Sequence, residues 1–216
     1  KTSLKEMLGQ MMSKIYQTSY SKKSFNNKYG VPISLFNINK EDKIGIFEVG
    51  MDKKGEIDFL TKKIMPNVGV ITNVSYAHIK NFKNLNEIAA AKSELIQNIK
   101  KGGSIILNKD DSFFEYHKKK ALDRNLKIIS FAQRNKADIS LTSIKKVKNN
   151  FRINVKIFKD KKFFYIKNIY QNNIYNILAS ISAFYSIGYT KYLKSNLFSK
   201  FKTPEGRGDI SKINLK

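Results

Sequence analysis

Between Lys43 and Phe131 the sequence alternates apolar runs with segments of helical character. The runs 43–49, 68–73, 104–108 and 126–131 read as buried strands, and 56–64, 86–99 and 111–121 read as the helices between them. Strands joined through helices pair side by side in one direction, so the expected fold class is α/β: a mostly parallel sheet flanked by helices on both faces. Ligands of such sheets sit beyond the carboxyl ends of the strands, which makes the residues closing each run the first candidates for chemistry.

Outside this stretch, Leu4, Met7, Leu8, Met11, Met12 and Ile15 predict an amphipathic helix over the first sixteen residues. A polar loop, 21–29, leads through Gly30-Val31-Pro32 to the apolar Ile33-Ser34-Leu35-Phe36. From Asp138 to Ile169 three β-rich segments (139–147, 151–158, 162–169) are separated by Lys/Asn/Asp turns with no helix between them, which predicts a small antiparallel meander. Ile174, Ile177, Leu178, Ile181 and Phe184 define a helix ended by Gly188. A short helix is expected over 191–201, and Thr203-Pro204-Glu205-Gly206-Arg207-Gly208 reads as a linker at a domain edge.

Hydrophobic residues make up 41% of the 216, enough to build a core. No stretch approaches the roughly 20 apolar residues of a membrane span. The N-terminal Lys1-Thr2-Ser3-Leu4-Lys5-Glu6 lacks the apolar segment of a signal peptide, so neither membrane insertion nor secretion is expected. Without cysteine there is no disulfide framework, thiolate metal site or cysteine nucleophile, and any metal falls to oxygen or histidine ligands. A formal charge of +24 by itself points to polyanions. Yet 37 of the 41 basic residues are lysine and only Arg124, Arg134, Arg152 and Arg207 are arginine, whereas bidentate reading of bases and phosphates favours arginine. Lys, Asn and Ile are abundant together, as in proteins encoded by AT-rich genomes. The first reading is therefore a surface set by coding bias; attraction of small polyanionic substrates and a basic nucleic-acid-binding module are the alternatives.

Glu48, Asn73 and Asn108 close predicted strands. Glu48 precedes Gly50, which would let backbone or ligand approach closely, as a Mg²⁺-binding carboxylate beside a nucleotide requires; an ordinary solvated strand-end acid is the competing reading. His78 lies five residues beyond Asn73 and is one of two histidines, a type more often structural than a ligand when alone. Lys92 stands in Ala89-Ala90-Ala91-Lys92-Ser93-Glu94, where small neighbours would let a lysine lie against a strand, although an exposed helix lysine explains it as well. Lys1-Thr2 before a helix matches the end of a phosphate loop, G-x-x-x-x-G-K-[ST], but two residues alone are close to chance.

The order of the pieces carries more. Lys1-Thr2-Ser3-Leu4-Lys5-Glu6-Met7, Asn26-Asn27-Lys28-Tyr29-Gly30-Val31-Pro32, Glu48-Val49-Gly50 with Gly55-Glu56-Ile57, Thr72-Asn73 with Ala77-His78, Ala91-Lys92-Ser93-Glu94, Asn173-Ile174-Tyr175-Asn176 and Gly206-Arg207 together resemble the Mur ligases. The resemblance covers nearly the whole chain, and N-N-x-x-G-V-P combined with E-x-G-x-x-x-x-G-E-I is specific. Another branch of the family would be expected to carry a Ser-Ser-His-like sequence where this chain has Val49-Gly50-Met51. The family often has His immediately before its Asn-x-x-Asn pair; Tyr170-Gln171-Asn172 fills those positions here.

The resemblance implies a P-loop-type central ATP-binding domain over 1–202 that starts within the phosphate loop. Residues 203–216 would be a linker and the start of a C-terminal ligase domain, with an N-terminal UDP-binding domain outside the chain. It implies ATP-dependent amide formation, in which a UDP-N-acetylmuramoyl-tripeptide carboxylate attacks the γ-phosphate and the acyl phosphate is captured by the amine of D-alanyl-D-alanine. Lys1, Thr2 and Ser3 would finish the phosphate loop, Thr2 and Glu48 would bind a first Mg²⁺, and His78 would lie on or near a second. Lys92 would match the family's carbamylated lysine. Asn26 and Asn27 would face the UDP-muramoyl-peptide, while Asn173, Asn176 and Arg207 would lie near the nucleotide. A cytoplasmic, bacterial, monomeric enzyme of peptidoglycan precursor synthesis is expected; a sister amide ligase acting on another muramoyl-peptide or a folate-like substrate is the alternative.

Overall fold

The computed structural model describes residues 1–76, 81–169 and 173–204. In chain order these residues form α1 (Thr2–Met12), β1 (Thr18–Tyr20), α2 (Gly30–Phe36), β2 (Ile44–Ile46), α3 (Glu56–Ile64), β3 (Val68–Ile71), α4 (Leu85–Gln97), β4 (Ser104–Asn108), α5 (Phe114–Leu122) and β5 (Lys127–Ala132). They continue with β6 (Ile139–Val147), β7 (Asn150–Ile157), β8 (Asp160–Ile166) and α6 (Asn173–Ser186).

β1 and β2 pair in parallel, and β3 to β8 form a second sheet in simple chain order. Its strands are parallel from β3 to β6 and antiparallel from β6 to β8. The expected meander is present, but it continues the main sheet instead of standing apart from it. β5 and β6 share only the rungs Phe131↔Ile139 and Ala132↔Ser140, so β6 runs on past the end of β5. Two aspartates secure this step: Asp138 accepts from the Ser130 amide and hydroxyl at 2.8 and 2.6 Å, and Asp110 accepts the amides of Gln133, Arg134 and Asn135.

Alternate residues of a strand face opposite sides, and β4, buried along its whole length, shows where each side packs. Ile106 joins Met7, Met11, Phe131, Leu178 and Phe184 in a core beneath α1 and α6; Ile105 and Leu107 join Ile71, Ile96 and Ala121 beneath α4 and α5. Burial of a side chain such as Leu178 stabilises by about 2 kcal/mol, and Leu178→Ala would cost about 3 kcal/mol once the cavity is counted. A third cluster, Met51, Ile57, Phe82, Ile88 and Ala91, joins α3 to α4.

Several boundaries depart from the sequence expectation for local reasons. Helical hydrogen bonding in α1 gives way to turns after Met12, although Ile15 still packs on the core. α4 starts at Leu85 because Asn84 caps it, its Oδ1 accepting the Glu87 amide at 3.1 Å while Glu87 accepts the Lys83 amide. α5 starts at Phe114 because the Asp111 carboxylate holds the Phe113 amide in a preceding turn. The helix expected over 191–201 is a correction: only a 3₁₀ turn, Thr190–Tyr192, forms, followed by turns over 195–200. Among the described residues no helix is long and apolar enough to cross a membrane.

Candidate functional site

β2 aims its continuation, Phe47-Glu48-Val49, toward the start of α1. The Lys1 ammonium donates to the Val49 carbonyl at 3.3 Å, and Thr2, the first residue of α1, is buried. The first turn of α1 carries no acid, so its unpaired amides and positive dipole end are not neutralised from within.

Glu48 is only 5% exposed. Its Oε1 accepts from the Asn26 side-chain amide at 2.8 Å, and its buried Oε2 has no hydrogen-bond partner. Asn26 is held in turn, since its carbonyl accepts the Gly50 amide at 2.7 Å. A half-satisfied buried carboxylate is costly unless a cation completes it. The orphan oxygen therefore fits a hard divalent cation, which takes oxygen ligands from one or two protein groups and leaves the rest to water and phosphate. Among the described residues no three His, Cys, Asp or Glu side chains converge on a metal position, so any such ion would lean on Glu48, water and its substrate.

Asn27 faces differently from its neighbour: its Oδ1 accepts the amides of Tyr29 and Gly30 and caps α2. That side chain is engaged with its own backbone, whereas Asn26 is engaged with Glu48.

Three side chains converge beyond β3. Asn108 donates to the Thr72 carbonyl at 3.0 Å, Lys92 donates to the Asn73 carbonyl, and Asp111 accepts the Val74 amide at 2.6 Å. Burial, aided by the positive charge of Lys1 and opposed by Asp111, pulls the Lys92 ammonium down to about 8. Lys92 is thus no ordinary surface lysine. The other histidine, His117, is buried in the core against the Ala89 carbonyl, and burial lowers its basicity.

At the start of α6, Asn173 is 3% exposed, donates to the Asn168 carbonyl at 3.1 Å and leaves its buried Oδ1 without a partner. It borders a cavity of about 60 Å³ whose wall includes Met7, Asn168, Phe198 and Thr203. Asn176 is one turn further on and partly exposed, and between them the Tyr175 hydroxyl donates to Asp110 at 3.0 Å. Lys1, Thr2, Asn26, Glu48 and Lys92 thus form one group and Asn173 with Asn176 another; Ser3 lies in the first turn of α1. His78 and Arg207 lie outside the described residues.

Sequence reasoning passed over Lys5, Asp110 and Asp111. The two aspartates stand two and three residues beyond the strand-end Asn108, which was signal enough. Lys5 and Gly9 share the buried side of α1, and a glycine four residues from a lysine on an apolar face marks a close approach, here to the Tyr20 ring.

An α/β domain whose main sheet is parallel from β3 to β6, with a carboxylate, two lysines and a helix start gathered at strand ends, is of the nucleotide-binding type. The chain belongs to the Mur ligase family: residues 1–184 match the Mur ligase middle domain. It is 32% identical over 215 residues to the UDP-N-acetylmuramoyl-tripeptide–D-alanyl-D-alanine ligase of Borreliella burgdorferi, covering 97% of this chain and 44% of that protein. A crystal structure of MurF from Acinetobacter baumannii superimposes with a TM-score of 0.89 at 26% identity, over 99% of this chain and 46% of that one. MurF from Thermotoga maritima, solved in complex with ADP, shares the fold at a TM-score of 0.81 and 22% identity, over 94% of this chain and 46% of that one. The chain spans less than half the length of the curated relatives it matches.

Proposed function

We propose that residues 1–202 are the ATP-binding middle domain of a ligase that joins D-alanyl-D-alanine to a UDP-N-acetylmuramoyl-tripeptide in the bacterial cytoplasm, and that 203–216 lead into a further domain. The observation that carries this reading is the buried Glu48 carboxylate, fixed through one oxygen by Asn26 and unpartnered at the other, next to the residue whose carbonyl Lys1 grips. Similarity to ligases of that name at 30–32% identity supports the choice of substrates.

In this reading Lys1, Thr2, Ser3 and the first amides of α1 bind the ATP phosphates, and the cationic Lys1 draws charge off the group in transfer. Glu48 and Thr2 hold one Mg²⁺, and His78 with a carbamylated Lys92 holds a second. Bound there, Mg²⁺ supplies neutralisation of phosphoryl charge while two anions are brought together. Lys92 suits carbamylation because only the neutral amine attacks CO₂, releasing one proton as the carbamate forms. With its ammonium at about 8, roughly a tenth is neutral at pH 7, some 300-fold more than for an ordinary lysine. Asn26 serves twice, orienting Glu48 and facing the peptide substrate, while Asn27 shapes the same loop by capping α2; Asn173, Asn176 and Arg207 contact the nucleotide. The tripeptide carboxylate attacks the γ-phosphate with departure of ADP, and the amine of D-alanyl-D-alanine then displaces inorganic phosphate from the acyl phosphate.

The test is phosphate release from ATP by the complete protein, with the tripeptide nucleotide and D-alanyl-D-alanine supplied separately and together. Release that needs both is expected; none with both present would reassign the acceptor or the amine.

A further inference from the structure

The geometry points to Lys5 as a positioning residue that ties the phosphate-loop helix to the carboxylate Glu48 through the backbone of 21–26. Its side chain is 3% exposed, and its three ammonium protons meet three acceptors: Glu6 Oε1 and the Ser21 carbonyl at 2.5 Å, and the Lys23 carbonyl at 2.8 Å. A buried charge is tolerated only when paired and fully hydrogen-bonded, and an apolar side chain would fill the same face of α1 at less desolvation cost. What the lysine adds is a fixed distance between α1 and two carbonyls of the neighbouring loop.

That loop is the one that ends on Asn26. Lys23 takes a left-handed conformation, with φ at +47°, uncommon for a side chain of its kind. Its carbonyl accepts from Lys5, and Phe25 closes the turn by donating to the Lys22 carbonyl. Asn26 then clasps both sides of the strand end, donating to Glu48 Oε1 and accepting from the Gly50 amide. Gly9, one turn along α1 from Lys5, packs its bare Cα on the Tyr20 ring, and the Lys5 ammonium lies 5.8 Å from the centre of that ring. The helix that begins at Thr2 and the Glu48 carboxylate are thereby linked through one ammonium, in the way outer-shell partners orient metal ligands. This role rests on the reading of Glu48 as a metal ligand.

The experiment uses the complete protein with Lys5→Gln, which offers two donors for three, and Lys5→Arg. Amide hydrogen exchange is followed in peptides covering 21–27, 48–52 and α6, without nucleotide or metal, and MgADP binding is measured by calorimetry. In Lys5→Gln, exchange in 21–27 and 48–52 is expected to quicken about tenfold or more while α6 is unchanged. MgADP affinity is expected to fall about tenfold, with part recovered in Lys5→Arg. Parental exchange in 48–52 overturns the proposal. Faster exchange throughout, α6 included, overturns it too, since Lys5 would then be a general stabiliser of the fold. Glu48→Gln is the separate control: undiminished MgADP affinity in that variant refutes the reading of Glu48, while the exchange pattern still judges Lys5.

Discussion

The Asn26 amide donates to one oxygen of the buried Glu48 carboxylate at 2.8 Å, and the other oxygen finds no protein donor. A charge left half-solvated in this way weakens the metal-free fold and is compensated when a cation arrives. Glu48→Gln removes the charge while keeping the acceptor that Asn26 uses. The metal-free complete protein is expected to melt at the same temperature or up to about 4 °C higher, a gain of about 1 kcal/mol. Mg²⁺ with ADP should then raise the melting temperature far less than in the parent. Equal Mg²⁺-dependent shifts in parent and variant would remove Glu48 from the metal site.

Gly50 is needed for the same contact. Its amide donates to the Asn26 carbonyl at 2.7 Å, and a Cβ placed on it would meet Asn26 Oδ1 at 2.9 Å. Gly50→Ala must move either the strand end or the Asn26 side chain, at a cost of about 1–3 kcal/mol. Weaker MgADP binding with a lowered melting temperature is the expected result. Parental values for both would show that the clasp accommodates a methyl group without strain.

These contacts explain what could and could not be read from the residues. Strands β3 to β5 and their helices were legible because burial on both faces writes continuous apolar runs, and the meander was legible because its turns are polar. β1 was not: Thr18-Ser19-Tyr20 lies in a polar stretch and is a strand only because it pairs with Ile44–Ile46. The expected 191–201 helix failed because its apolar residues pack onto the core from turns; Leu193, Leu197 and Phe198 are all buried. Glu48 and Lys92 could be singled out by position, but their environments could not. Whether a strand-end acid is solvated or orphaned, and whether a lysine is screened or desolvated, depends on residues such as Asn26 and Lys1 that are distant in sequence.

Lys92 offers a prediction with its own pH signature. Its lowered ammonium value means the amine is already partly neutral at pH 7, and the neutral fraction rises through pH 8. Removing dissolved CO₂ should lower phosphate release by the complete protein, most at low pH, and bicarbonate should restore it. Lys92→Ala should be slower by about 100-fold or more and unresponsive to bicarbonate. Activity indifferent to CO₂ between pH 6 and 9 would leave Lys92 as an amine hydrogen-bonded to Asn73 and nothing more.

Asp110 ties the loop after β5 to the start of α6, since it caps that loop at Gln133, Arg134 and Asn135 and accepts the Tyr175 hydroxyl beside Asn173 and Asn176. Burial alone would raise its carboxyl, but the amides of Arg134, Gln133 and Asn135 and the Tyr175 hydroxyl outweigh that and hold it below the ordinary carboxylate range. A depressed folded value contributes stability that is present above the unfolded value of about 4 and is lost as pH falls through the folded one. Asp110→Asn turns an NH₂ group toward donors on one side or the other, so it should cost about 3 kcal/mol at pH 7. The gap between parent and variant melting temperatures should narrow steadily below pH 4, where the parent's carboxylate also takes up its proton. A gap that stays constant down to pH 2 would mean that Asp110 acts through its shape and not its charge, and that the α6 end of the site is set by packing alone.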